Sequence, residues 1–130
     1  MLIFGHRFIS SNNFYHINSI DAIKNMPPSS IIFIEFNENN LDIISHLQIN
    51  SINFALEVKN ITEIVYASAL GSSYILVDKT LAKTAQDLAQ NYLFDSKILV
   101  FVEDEKDIEE LALTGVDGII FPSAIIKTTT

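Results

Sequence analysis

The chain has 130 residues, 48% of them hydrophobic, and sets eight Lys and Arg against 16 Asp and Glu for a net charge of −8. That is enough apolar material for a packed core, and residues 1–130 read as a single α/β domain. The balance excludes the basic stripe of a nucleic-acid binder and any attraction to anionic membrane surfaces, and the absence of Cys excludes disulfides and thiolate metal sites.

The apolar run at Met1-Leu2-Ile3-Phe4 is too short for a signal peptide, and its positive charge, Arg7, follows it instead of preceding it. No run approaches the ~20 apolar residues of a membrane span. The expectation is a cytoplasmic protein. Leu2–Ile9 reads as a first strand, Ser10–Asn13 as a polar break, and Phe14–Ile17 as a short extended piece. Ser19 is placed to cap a helix over Ile20–Met26, which Pro27-Pro28 ends. Strand Ser30–Phe36, polar loop Asn37–Asn40 and a helix over Leu41–Gln48 follow.

Strand Ile52–Val58 leads to Asn60, with Glu63 three residues on in the manner of a capping box. The helix it opens runs to Leu70, and Gly71 stops it. Strand Ser73–Val77 and helix Thr80–Leu93 come next, the latter with Leu81, Ala85, Leu88, Ala89 and Tyr92 along one side. Strand Lys97–Val102 precedes helix Asp104–Thr114, whose acidic first turn suits the helix dipole. Gly115 ends that helix, Val116–Phe121 is the last strand, and Pro122 and a Thr128-Thr129-Thr130 tail close the chain.

The strands stay apolar on both faces, the pattern of a parallel sheet covered twice. The expected fold is therefore α/β: repeated β-α units forming a mainly parallel sheet of five or six strands with helices packed on it. An open three-layer sheet and a partial barrel read alike from the sequence.

In such sheets ligands bind outside the carboxyl ends of the strands. The residues there are His6, Arg7, Glu35, Asn37, Glu38, Glu57, Lys59, Asp78, Lys79, Glu103, Asp104 and Ser123. Carboxylates gathered at one rim could hold Mg²⁺ or Ca²⁺, the candidate cofactors. The same Asp and Asn residues could equally cap the helices that follow. The phosphate-binding glycine loops and the Gly-x-Ser-x-Gly elbow are absent. His16 and His46 have no metal-ligand spacing and read as surface or half-buried residues.

Two family resemblances can be placed on particular residues. Lys97–Pro122 (KILVFVEDEKDIEELALTGVDGIIFP) is similar to the last two β-α units of glycerophosphodiester phosphodiesterases. Gly5-His6-Arg7 resembles the start of that family's His-Arg-Gly motif, and Ile34-Glu35-Phe36-Asn37 its Glu-x-Asp motif. The resemblance implies a catalytic acid/base at His6, a phosphate grip at Arg7 and a metal ligand at Glu35. Phe8 stands where the motif has Gly, and Asn37 replaces a metal-binding Asp. From about Ile31 the order of elements also resembles response-regulator receiver domains. There Asp78, at the end of Tyr74–Val77, would be the phosphoacceptor and an alternative metal ligand. The Thr or Ser of their fourth strand and the Lys of their fifth are missing: Val102-Glu103 and Pro122 stand in their places.

With neither set of chemistry complete, the sequence favours a non-enzymatic interaction or regulatory domain, a pseudo-enzyme, over an enzyme. A protein partner or a homodimer is expected, with Tyr66, Tyr92, Leu93 and Phe94 as candidate contact residues. A metal-assisted phosphodiesterase-like hydrolase and a degenerate receiver-like signalling domain are the alternatives.

Overall fold

A computed structural model describes residues 1–128; Thr129 and Thr130 of the expected tail lie outside the described residues. The strands are β1 (Leu2–Phe4), β2 (Phe14–His16), β3 (Ile31–Glu35), β4 (Phe54–Glu57), β5 (Tyr74–Val77), β6 (Lys97–Phe101), β7 (Gly118–Ile120) and β8 (Ile125–Lys127). The helices are α1 (Leu41–Ile49), α2 (Ile61–Ala69), α3 (Ala82–Asn91) and α4 (Lys106–Thr114). All strand pairs are parallel, in the order β1-β7-β6-β5-β4-β3-β2-β8.

This order forces the sheet to curl. β7 stands second and β8 eighth, a separation of about 29 Å in a flat sheet. Yet only Phe121–Ala124 join them, and the chain from Ile120 to Ile125 spans at most about 18 Å. The sheet is accordingly rolled into a half-barrel, and Phe4 of β1 meets Phe14 of β2 edge-on, with ring centroids 4.9 Å apart.

The expected α/β class and partial-barrel arrangement hold, but the strands number eight instead of five or six. Of the further strands, β2 lies within Phe14–Ile17, which reads as a short extended piece, and β8, also three residues, is too short to show a hydrophobic period. β1 stops at Phe4 instead of Ile9 because Gly5 takes a left-handed φ of +86° and turns the chain out. The segment after Ser19 is a 3₁₀ helix over Ile20–Asn25 instead of an α-helix.

Curling explains why both strand faces are apolar without two helix layers. Ile32, Ile34, Leu56, Ile75, Val77, Ile98, Val100 and Ile119 pack outward under the helices. Phe4, Phe14, Ile31, Phe33, Ala55, Leu76, Leu99 and Ile120 fill the inside of the curl against one another. β1 and β8 meet end to end there. Gly5, just past β1, touches Ser123 and Ala124, just before β8. Ser123 Oγ donates to the Gly5 carbonyl at 2.5 Å, and the Phe121 N–H donates to the Phe4 carbonyl at 2.9 Å.

α1 to α4 end alike. Each closes with a left-handed residue, Ser51 (φ +54°), Gly71 (+82°), Leu93 (+52°) or Gly115 (+86°). The next N–H then bonds back into the last turn: Ile52 to Leu47, Ser72 to Ala67, Phe94 to Ala89, Val116 to Leu111. This is the Schellman arrangement, repeated in every β-α unit from β3 to β6. Among the described residues no helix is long and apolar enough to cross a membrane.

Candidate functional site

The C-terminal strand ends form one rim, and its chemistry falls into two clusters and a set of caps. The first cluster follows β1. Leaving Gly5, the chain carries His6 and Arg7 across to Glu105, just past the end of β6. His6 Nε2 lies 2.7 Å from Glu105 Oε1, and Arg7 Nη1 donates to the same oxygen at 2.8 Å. The Phe8 backbone N–H donates to His6 Nδ1 at 3.1 Å. An amide N–H can only donate, so Nδ1 is the acceptor and the ring proton sits on Nε2, directed at Glu105. Both imidazole nitrogens are therefore engaged.

The His6 side chain is only 10% exposed. Its ring lies between those of Phe8 (4.9 Å) and Phe121 (5.4 Å). Arg7 stacks its guanidinium 4.5 Å from the Phe8 ring. The hydrogen bond from His6, and after it that from Arg7, holds the Glu105 carboxyl below the usual glutamate range. Beside this triad lies an open cleft of about 780 Å³, lined also by Glu103, Asp104, Pro122 and Ser123.

The second cluster sits at the mouth of the curl. Alternation along β3 and β4 puts Glu35 on the inner face with Phe33, and Glu57 with Ala55. Glu35 and Glu57 stand in register on neighbouring strands. His16 of β2 contacts the Glu35 carboxylate through Nε2 and meets the Phe33 ring edge-on at 5.2 Å. Burial, reinforced by the Glu35 charge, raises the Glu57 carboxyl, while Lys59 and His16 oppose the shift.

Asn37, Asp78 and Asp104 of the remaining rim residues are caps, as is Asn60. Asn37 Oδ1 accepts from the Asn39 N–H, Asn60 Oδ1 from Glu63, Asp78 Oδ1 from Leu81 and Asp104 Oδ1 from Lys106. Asp78 also accepts the Thr80 hydroxyl at 2.5 Å, which is the main cause of its lowered carboxyl pKa. Each capping Asn or Asp follows the end of one of β3 to β6, where a strand becomes a helix and orphan N–H groups need an acceptor.

The candidate residues thus separate. His6 and Arg7 gather on Glu105; Glu35 belongs with His16 and Glu57; Asp78 caps its own helix. Among the described residues no three His, Cys, Asp or Glu side chains are placed to hold a metal ion. Three partners escaped sequence reasoning in these roles: Glu105, His16 and the paired state of Glu57. Glu105 was open to detection, one residue beyond the rim pair Glu103-Asp104. His16 falls in the extended piece Phe14–Ile17, but its meeting with Glu35 depends on the β2–β3 pairing, which no local pattern announces.

Of the four residues expected at a contact surface, Tyr66, Tyr92 and Leu93 are exposed. Phe94 is instead drawn against the core by the Schellman turn, where it packs as a partly buried side chain. A scan against protein-family models and a search of curated proteins return no match to this chain.

Proposed function

We propose that this chain is a non-enzymatic interaction domain on a half-barrel scaffold. One observation carries the proposal: the rim groups that would perform chemistry are engaged in holding the fold. Both nitrogens of His6 are bonded. The Arg7 guanidinium sits on Glu105. Asn37, Asn60, Asp78 and Asp104 cap the segments that follow them. An acid/base residue needs a free nitrogen within reach of its substrate, and a phosphate grip needs an uncommitted cation. Neither is offered at β1.

The test is turnover of bis(p-nitrophenyl) phosphate with millimolar Mg²⁺, Ca²⁺ or Mn²⁺, run beside melting curves in the same ions. The expected result is hydrolysis no faster than buffer and no change in Tm. A site 100-fold saturated by a cation would add about 2.7 kcal/mol. Turnover abolished by both His6→Ala and Glu35→Gln would replace this reading with the hydrolase alternative.

A further inference from the structure

In the β-α units from β3 to β6 a helix covers the outer face of the sheet before the next strand begins. β1 has none. The chain leaves Phe4, crosses Gly5–Asn13 without a helix and enters β2. The outer layer therefore has a gap over β1, beside α4. The gap is an apolar groove of about 450 Å³, walled by Ile3 of β1, Phe8 and Ile9 of the rim loop, and Ile108 of α4. Phe8 is 75% exposed, and Ile9 is exposed beside it. These side chains are held in place: Phe8 is fixed by its N–H bond to His6 and by the Arg7 stack. His6, Glu105 just before α4 and Glu109 on it form the groove's polar edge.

The charge on that edge says what fits. From Glu103 to Glu110 the chain carries Glu103, Asp104, Glu105, Asp107, Glu109 and Glu110 against one Lys106. A second copy would bring the same acidic helix and a further net charge of −8 to the contact. We infer that the groove over β1 docks an amphipathic helix of a partner protein, whose apolar face rests on Ile3, Phe8, Ile9 and Ile108 and whose basic flank meets Glu109 and the acidic edge of α4. The occupant would take the place of the helix that β1 lacks and would pack alongside α4, in the helix-in-groove manner with anchors one turn apart. This inference rests on the interaction reading above and names its surface.

The test uses the full chain and a labelled Leu/Lys amphipathic helical peptide of about 18 residues. Its control is the same peptide with every Lys replaced by Glu. Anisotropy titrations are run at physiological ionic strength, where diffuse attraction is screened beyond about 8 Å. The Lys peptide is expected to bind at least tenfold tighter than the Glu peptide. Phe8→Ser and Glu109→Lys should each weaken it at least fivefold, while Ile49→Ser, at an exposed apolar residue of α1 away from the groove, leaves it unchanged. Circular dichroism confirms that the variants fold.

Equal affinity for both peptides, binding indifferent to both groove substitutions, or no saturable binding would overturn the inference. So would a dimer in sedimentation equilibrium that Phe8→Ser abolishes, which would assign the groove to a second copy. Any of these with a silent phosphodiesterase assay leaves the non-enzymatic reading standing; turnover in that assay removes it whatever the peptide does.

Discussion

Gly5 cannot be any other residue without cost, for two separable reasons. Its φ of +86° disfavours a side chain, and a Cβ there would lie 2.9 Å from the Ala124 backbone nitrogen. Gly71 shares the left-handed backbone but faces open space. Gly71→Ala should therefore cost about 1 kcal/mol and Gly5→Ala about 2 kcal/mol or more, the difference in denaturant midpoints isolating the clash at the strand junction. Glu57 gives a pH signature. Its raised pKa means that ionisation is costlier in the folded chain than in the unfolded one. Stability then falls as pH rises from the ordinary glutamate range through the raised value. Glu57→Gln should melt higher than the parent at pH 7. The gap should close in acid, where Glu57 is neutral in both states; a gap that persists there would assign the effect to packing. Residue-level chemistry was the least legible part of the sequence. His6 and Arg7 stand out by type, but their partner lies 98 or more positions away, and only the pairing of β1 on β7, itself paired with β6, brings them together.

The β-α unit repeats its ends more faithfully than its interior. An Asn or Asp follows each of β3 to β6 as a cap, and a left-handed residue follows each of α1 to α4. Half of the stop signals were legible as Gly71 and Gly115, because glycine advertises a positive φ. The other half were silent: Ser51 and Leu93 adopt the same turn against their preference. Leu93 is 84% exposed, so replacing it forfeits little packing. Leu93→Gly should stabilise the chain by about 0.5–1 kcal/mol, raising Tm, since relief of the left-handed strain exceeds the extra entropy of glycine in the unfolded chain. Between elements, the buried Gln86 of α3 accepts the Asp117 N–H at 2.8 Å, while Asp117 Oδ2 accepts the Ile98 N–H at 2.8 Å. Gln86→Leu would strand that amide and should cost about 1–3 kcal/mol in urea denaturation. No local pattern announces such a bridge, because Gln86 sits 31 positions from its partner on a helix that otherwise reads as amphipathic.

At the scale of the molecule, the half-barrel was legible in class but not in strand number. Long apolar runs betray β3 to β7, whereas β2 and β8 take their strand character from the neighbours they pair with, β2 on β3 and β8 on β2. β8 matters beyond its three residues. It covers the outer edge of β2 and, through Ile125, the inner cluster that holds Phe14. Removing residues 125–130 should lower stability by about 2–3 kcal/mol, the scale of uncovering one large apolar side chain. It should also produce larger species on size exclusion, because an uncovered strand edge recruits other chains. A truncated chain that stays monomeric with unchanged Tm would refute this. The end-to-end meeting of β1 and β8 has a temporal consequence. Of the eight strands β1 is made first, yet it has no partner until β7 has emerged. β1 waits for β7, more than a hundred residues later, while β2 gains β3 early and then waits nearly as long for β8. A nascent chain therefore carries β1 unpaired, and the far edge of β2 uncovered, while β3 to β6 are made. Closing the curl is therefore a late and cooperative step of folding, as the high sequence separation of these contacts implies.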